Sequence, residues 1–230
     1  MEKKRYSAKI LEHFALTPDV IQFRLEIPDG FIYQAGQFVQ FLVPGDDKEI
    51  ARSYSISSKP SDPYLEFCVK VIPSGVASPY LNDKKRGDEL TFTGPMGVYV
   101  NKDAESPLFF IATGVGLAPN IGMIEEELMS KKNTNQIHCL FGVRREIDIF
   151  WIDRLETLAR DYENFSYTLT LSQPTSTWDG KLGRVTDHLG KIDTRGQYFV
   201  CGNLEMIKDV RELLTAAEVP MKQIHFEIFH

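Results

Sequence analysis

The sequence has few cysteines and no long hydrophobic run. Its three cysteines, Cys68, Cys139 and Cys201, are scattered and form no Cys-x-x-Cys pair, which argues against a zinc ribbon and a disulfide framework. A ferredoxin-type iron–sulfur cluster needs four cysteines, so these three cannot hold one. The longest apolar stretch, residues 108–118, is far shorter than the ~20 residues that a membrane helix needs. We therefore expect no membrane span, and no metal site.

A net positive charge is also missing. The chain has 26 basic and 32 acidic residues and a formal net charge of −6. Nucleic acids and anionic membranes attract a basic face, so neither is expected as the main partner. The N-terminus is charged and leads into no apolar signal core, which predicts a cytoplasmic protein. With 230 residues, the chain is long enough for one large domain or two small ones.

The hydrophobic pattern changes near the middle of the chain. Residues 6–93 contain about six short strands, rich in β-branched and aromatic residues and separated by Pro, Gly and Asp turns. After a polar segment at 101–107, strands alternate with helices. The strands are predicted at 108–112, 137–141, 165–171, 198–201 and 224–229, and the helices at 119–131, 150–162, 184–189 and 204–217. The pattern predicts a two-domain β + α/β protein: an N-terminal antiparallel six-stranded β-barrel (1–101) and a C-terminal parallel five-stranded Rossmann-like α/β sheet (106–230).

Two motifs of the β half have the composition of a ligand site. Residues 52–55 (Arg-Ser-Tyr-Ser) lie on a strand, whose alternation puts Arg52 and Tyr54 on one face. Residues 75–79 (Gly-Val-Ala-Ser-Pro) form a turn into a helix, with Ser78 as the expected N-cap, and free N–H groups at such a position bind phosphate. The alternatives are an exposed arginine beside a packed tyrosine and a plain helix cap.

Three further motifs belong to the α/β half. Residues 112–119 (Ala-Thr-Gly-Val-Gly-Leu-Ala-Pro) join the first strand to the first helix, where glycines let a pyrophosphate approach the backbone. The third glycine of the Rossmann fingerprint is absent, so close packing is the alternative. Residues 199–203 end a later strand, where open α/β sheets place their ligands. Glu227 and Phe229 share one face of the terminal strand; a solvated charge and a core-edge ring are the alternatives.

In this order, and over residues 6–229, the five motifs resemble those of the ferredoxin–NADP reductase family. The resemblance implies an oxidoreductase that transfers a hydride between NADP (or NAD) and FAD, and single electrons to or from a carrier protein such as ferredoxin or flavodoxin. Hydride transfer needs the two cofactors at near-attack distance, which a cleft between two domains supplies. The chain ends in Phe229 with His230 behind it, where plant-type enzymes end in Tyr. In this respect, and at 171–174 and 178–180, it also resembles bacterial oxygenase reductases.

The resemblance implies roles for individual residues. Arg52 would pair with the flavin pyrophosphate, Tyr54 would stack on the isoalloxazine, and Phe229 would cover its second face. The implied catalytic residues are Ser55, near the flavin N5, Cys201, beside the nicotinamide, and Glu227, the terminal carboxylate. Further FAD contacts would come from Val69, Lys70, Val71, Gly75, Val76, Ala77 and Ser78. The NAD(P) contacts would be Thr113, Gly114, Gly116, Arg144, Arg145, Gln173, Arg184, Cys201 and Gly202.

The coenzyme preference and two other functions stay open at this point. Arg144, Arg145 and Arg184 match positions where NADP-using relatives keep basic residues, whereas Gln173 stands where they carry arginine. Because Gln bonds either a ribose hydroxyl or a phosphate, we expect a modest preference for NADPH with appreciable NADH use. Surface charge is the alternative for the two adjacent arginines. The alternative functions are the reductase component of a multicomponent oxygenase and a non-catalytic flavin-binding electron-transfer subunit.

Overall fold

Alternating apolar residues in the first half build one antiparallel sheet. Its strands are β1 (Arg5–Thr17), β2 (Val20–Leu25), β3 (Phe38–Val43), β4 (Ile50–Ser55), β5 (Leu65–Lys70) and β6 (Glu89–Met96). Their spatial order is β4-β3-β6-β1-β2-β5. The two outer strands approach each other where Ile56 bridges Phe67 and the Ser57 N–H donates to the Glu66 carbonyl at 2.8 Å. The sheet therefore curls into a six-stranded barrel, as predicted.

A computed structural model describes residues 4–46 and 48–229, and within it the barrel is filled by phenylalanines. Phe23, Phe41, Phe67 and Phe92 are fully buried, and the Phe41 and Phe67 rings meet edge to face with centroids 5.0 Å apart. Aromatic rings bury large apolar areas and add a geometric preference, so this cluster fixes the register of the strands. His230 lies outside the described residues.

The second half forms a parallel sheet with one strand more than predicted. Its strands are β7 (Leu108–Thr113), β8 (Ile137–Val143), β9 (Phe165–Leu171), β10 (Lys181–Leu182), β11 (Gln197–Gly202) and β12 (Ile224–Ile228). They lie in the order β10-β9-β8-β7-β11-β12. The prediction of five strands missed β10, which has two exposed residues paired with the end of β9. Such a strand is too short to show hydrophobic periodicity.

Within residues 4–46 and 48–229, four α-helices accompany the sheets: α1 (Ala77–Asn82), α2 (Leu117–Glu125), α3 (Ile152–Asp161) and α4 (Leu204–Ala216). The predicted helix at 119–131 is α2 followed by a π-helical turn, in which the Lys131 N–H donates to the Glu126 carbonyl at 2.9 Å. The predicted helix at 184–189 is a short 3₁₀ turn, Val185–His188. No helix among the described residues is long and apolar enough to cross a membrane.

The barrel and the α/β half share a packed boundary. Val20 and Cys68 of the barrel are buried in the same hydrophobic cluster as the inner residues of α2. A Cβ added to Gly122 of α2 would lie 2.9 Å from the Ser58 carbonyl oxygen, so the helix backbone sits directly on the barrel. At this boundary the carboxyl ends of the parallel strands lie beside the start of β2 and the end of β5, since residues from all of them line one cavity.

Candidate active site at the domain boundary

A cavity of about 820 Å³ lies where the two halves meet. One wall consists of residues at the carboxyl ends of the parallel strands, where open α/β sheets bind their ligands. The opposite wall belongs to the barrel and contains Asp19, Val20, Lys70 and Ile72. The cavity is therefore built by both halves of the chain.

Most residues predicted to contact the dinucleotide lie on this cavity. The residues that line it are Thr113, Gly114, Arg144, Arg145, Gln173, Arg184 and Gly202, together with Phe229 and Lys70 from the predicted flavin set. Gly116 and Cys201 lie directly behind this wall. A Cβ on Gly116 would be 2.2 Å from the Cys201 carbonyl oxygen. A Cβ on Gly202, whose φ is +151°, would be 2.2 Å from Thr113 Oγ1. Two glycines thus allow the loops after β7 and β11 to pack against each other.

Three arginines on the α/β wall of the cavity, Arg144, Arg145 and Arg184, differ in their contacts. The Arg145 Nε lies 3.5 Å from Asp148 Oδ2, which also accepts the Arg145 N–H at 3.0 Å. The Arg184 side chain is exposed, and its N–H donates to Asp187 Oδ2 at 2.8 Å. Arg144 and Gln173 are held side by side by the Gln173 N–H, which donates to the Arg144 carbonyl at 2.8 Å. The wall offers several donors to a phosphate.

A buried hydroxyl–carboxyl pair joins the barrel to the terminal strand. Ser55 at the end of β4 is buried, and its Oγ donates to Glu227 Oε1 on β12 at 3.2 Å, although the two residues are 172 positions apart. Burial raises the pKa of Glu227 to about 7, while the hydrogen bond from Ser55 opposes the rise. The carboxyl group can therefore hold or release a proton near neutral pH.

Cys201 and Phe229 complete this end of the cavity. Cys201 lies opposite Glu227 in the parallel register of β11 and β12. Burial, and secondarily the Glu227 carboxylate, raise the pKa of the Cys201 thiol, so it stays protonated at neutral pH. The Phe229 N–H donates to the Gly202 carbonyl at 2.9 Å, and its partly buried ring packs against the α/β core. The ring is therefore held at the cavity by one backbone bond and by packing.

Apart from Phe229, the residues predicted to hold a flavin lie on the barrel, and of these barrel residues Lys70 lines the cavity. Arg52 is exposed, and its Nη1 donates to the Ala51 carbonyl at 2.9 Å. Tyr54 packs against the barrel core with its ring centroid 5.7 Å from that of Phe41. Val69 points its side chain into the barrel core, whereas the Val71 N–H donates to the Asp19 carbonyl at 2.7 Å.

The turn before α1 differs from the prediction. The N-cap of α1 is Val76, not Ser78, and Ser78 lies buried in the first turn of the helix. The Ser78 hydroxyl accepts the Ile72 N–H at 2.9 Å, which ties the helix start back to the end of β5. The serine is therefore used to close the preceding turn, which the Ser-Pro dipeptide alone does not indicate.

Several cavity residues were not predicted. Asp19, Val20 and Ile72 come from the barrel and carry no motif, since their role depends on how the halves are packed. Asn203, in contrast, ends the predicted strand-end motif at 199–203, and the sequence also carries a signal for its capping role. Its Oδ1 accepts the Met206 N–H at 2.9 Å and caps α4, as expected for an Asn before a helical pattern.

Comparisons with known proteins decide the family. Residues 7–100 match the oxidoreductase FAD-binding domain family, and residues 110–212 match the oxidoreductase NAD-binding domain family. Ferredoxin--NADP reductase B of Sorangium cellulosum is 32% identical over 241 aligned positions, which cover 99% of this chain and 98% of that protein. The chain belongs to the ferredoxin–NADP reductase family. It is a flavin-dependent oxidoreductase whose cofactors are FAD and a nicotinamide dinucleotide.

A second sequence relative and a solved structure are also similar to this ferredoxin–NADP reductase family member. The anthranilate 1,2-dioxygenase electron transfer component of Acinetobacter baylyi is 33% identical over 84% of this chain, which spans 57% of that protein. The crystal structure of a ferredoxin NADP+ reductase from Neisseria gonorrhoeae with bound FAD and NADP has a TM-score of 0.87, with 22% identity and 99% of each chain covered. The second comparison shows a shared two-domain fold.

The geometry of the site fits these two cofactors. A Cβ on Gly114 would meet no atom within 4 Å, so the loop after β7 leaves room at the cavity. Glu227 Oε2 is buried and has no hydrogen-bond partner among the described residues. The polar edge of a cofactor ring bound beside it would supply that partner. The described residues contain no group of three or more His, Cys, Asp or Glu placed to hold a metal ion.

Proposed function

We propose that this flavin oxidoreductase links NAD(P)H to a separate one-electron carrier protein, a ferredoxin or a flavodoxin. The observation that carries the proposal is the Ser55–Glu227 pair, which joins the FAD-binding barrel to the terminal strand next to the dinucleotide cavity. Because the two residues come from different halves, the pair forms only when the two cofactor sites face each other. We propose 1–101 and 106–230 as the limits of the two domains.

The dinucleotide is held by the α/β half. Thr113, Gly114 and Gly202 line the cavity at the ends of β7 and β11, where backbone N–H groups and the start of a helix favour phosphate. Gly116 allows close packing of the two loops, and Gln173 lies beside Arg144 on the same wall. Arg144, Arg145 and Arg184 would attract the 2′-phosphate of NADPH, in support of a modest preference for that coenzyme.

The flavin is held by the barrel. The exposed Arg52 guanidinium and the turn at Gly75, Val76, Ala77 and Ser78 would bind its pyrophosphate, while Tyr54 and Phe229 would cover its ring. Val69, Lys70 and Val71 at the end of β5 would line the ring through their backbone. Bound FAD supplies the conversion between two-electron and one-electron transfer.

Ser55 and Glu227 hold and transfer a proton, and Cys201 helps to position the nicotinamide. With a carboxyl pKa of about 7, Glu227 holds a proton in part of the molecules at neutral pH, and the Ser55 hydroxyl beside it can pass that proton on. The Cys201 side chain is fully buried at the end of β11 and would support one side of the nicotinamide. These are the three residues that we assign to catalysis.

Two observations support a carrier protein as the partner. The three cysteines are all buried and are too few to ligate a ferredoxin-type iron–sulfur cluster, which favours a one-electron centre held outside these 230 residues. The Sorangium relative, which is named for ferredoxin, matches over nearly its full length. The similarity to an anthranilate dioxygenase electron transfer component favours a second candidate, the reductase component of an oxygenase system.

Anaerobic titration of the purified holoprotein tests the proposal. The flavin absorbance near its visible maximum should be bleached by NADPH and, less effectively, by NADH. Adding ferredoxin or flavodoxin together with cytochrome c should then produce continuous cytochrome reduction that depends on the carrier. A flavin that neither coenzyme reduces would point to the non-catalytic subunit, and reduction without transfer to either carrier would favour the oxygenase reductase.

A further inference from the structure

A network of buried charges crosses the domain boundary away from the Ser55–Glu227 pair. Its centre is Glu66 on β5, whose side chain is 1% exposed. Glu66 accepts hydrogen bonds from Gln22 Nε2 at 2.7 Å, Arg24 Nε at 3.0 Å and Ser57 Oγ at 3.3 Å, all within the barrel. The fourth donor is Arg154 Nη1 at 2.7 Å, which comes from the α/β half.

Arg154 connects the barrel to two helices of the α/β half. On α3, its guanidinium binds Glu66 with one nitrogen and forks onto Glu125 of α2 with the others, Nη2 lying 2.6 Å from Glu125 Oε2. Trp151, just before α3, adds a second bond across the boundary, because its Nε1 donates to Gln22 Oε1 at 2.7 Å. We call Gln22, Glu66, Glu125, Trp151 and Arg154 the interdomain clasp.

The clasp is attached to both walls of the dinucleotide cavity. On the barrel side, Gln22 follows Val20 on β2, and Glu66 precedes Lys70 on β5; Val20 and Lys70 line the cavity. On the other side, Phe150 lines the cavity and is followed directly by Trp151. The distance between the two walls is therefore set by the same short segments that carry the clasp.

The chemistry of the clasp indicates a geometric role. The loss of hydration on burying an ion pair often exceeds the attraction between the two charges, so such a network need not stabilise the fold. Its requirement for exact partners instead favours one defined arrangement of the two halves. Trp151 also adopts φ 55° and ψ 20°, a left-handed conformation that is costly for a bulky residue. That conformation starts α3 at the place where the indole reaches Gln22.

We propose that Arg154 and Trp151 are positioning residues that hold the two cofactor sites at reacting distance. Neither residue lines the cavity, so they act through the wall segments and not by contact with the dinucleotide. This inference rests on the proposed function, because it concerns electron transfer from the nicotinamide to the flavin. A misplacement of about 1 Å in such a step can cost roughly 10²-fold in rate, with little effect on binding.

Rapid-mixing reduction of the FAD holoprotein by NADPH tests the clasp. Arg154→Met should lower the limiting rate of flavin reduction about tenfold or more, while the Kd for NADPH changes less than about threefold. Arg154→Lys, which keeps the charge and loses the fork, should recover part of the rate. Trp151→Phe keeps an aromatic ring beside Arg154 and removes the donor to Gln22, so it should lower the rate about threefold.

Arg160→Met is the matched control on α3. Arg160 is exposed and pairs with the adjacent Asp161 at 2.8 Å, so its limiting rate should equal that of the wild type. If Arg154→Met does not fold with bound flavin, the limiting rate of flavin reduction in Trp151→Phe decides whether the clasp acts as proposed. Wild-type limiting rates in the folded variants, or a loss that appears only in the Kd, would overturn the clasp. Failure of both NADPH and NADH to reduce the wild-type flavin would instead overturn the proposed function.

Discussion

Glu227 should make the protein less stable as the pH rises from 5 to 8. Its pKa of 4.5 in an exposed peptide rises to about 7 in the folded protein, chiefly because burial penalises the charged form. Below pH 4.5 the carboxyl is protonated in both the folded and the unfolded state, and the shift has no effect on stability. Between pH 4.5 and 7 the unfolded chain releases the proton while the folded protein keeps it, so folding becomes less favourable.

The size of this effect follows from the shift. Each pKa unit corresponds to about 1.4 kcal/mol, so the difference between 4.5 and about 7 costs about 3 kcal/mol of unfolding free energy above pH 7. Glu227→Gln keeps the shape and cannot ionise. The variant should therefore gain about 3 kcal/mol relative to the wild type between pH 4.5 and pH 8, which is a large fraction of a typical stability.

Urea unfolding of both proteins at pH 4.5, 6 and 8 measures the difference directly. The exposed Glu212 on α4 is the matched control, and Glu212→Gln should show no comparable pH-dependent gain. A constant difference between Glu227→Gln and wild type at all three pH values would refute the claim that burial controls this carboxyl. A growing difference in the opposite direction would mean that the folded protein stabilises the carboxylate.

Three further predictions concern the cofactor sites. Ser55→Ala should lower the rate of flavin reduction about 10²-fold with FAD still bound, since it removes a donor at the reacting centre; a stopped-flow rate within a few-fold of wild type contradicts this. Truncation after Ile228 removes the ring of Phe229 from the cavity and should lower the Kd for NADP+ measured by calorimetric titration. An unchanged or higher Kd would mean that the ring serves only to pack against the core. Replacing Arg144 and Arg184 by Ala should raise the KM for NADPH about tenfold and leave that for NADH within about twofold; equal losses in steady-state kinetics exclude a phosphate role.

The strands and the order of the motifs were predictable because they are local. Alternating apolar residues place phenylalanines inside the barrel, and short apolar runs followed by helical patterns give a parallel sheet. The loop at Gly114 and the strand end at Gly202 were predictable for the same reason, since βα loops at one edge of such a sheet converge. β10 was missed because two residues carry no period.

The remaining features depend on contacts between distant segments. Ser78 looks like an N-cap in the sequence, but a competing acceptor role toward Ile72 fixes it inside the first turn of α1. Glu66 stands in the apolar run of β5, where alternation gives no reason to bury a carboxylate. Its partner Arg154 is 88 positions away on an amphipathic helix, where an arginine normally reads as solvent-facing.

The same limit explains why the chemistry of Glu227 could be located but not quantified. A carboxylate near the end of the chain is visible in the sequence, whereas its proton affinity depends on how much water the fold removes from it. That desolvation needs β12 to lie against Ser55 of the barrel, and the position of the barrel is held by the clasp at Arg154. A change in the clasp should therefore alter both the reaction geometry and the pH at which Glu227 releases its proton, through one movement of the two halves.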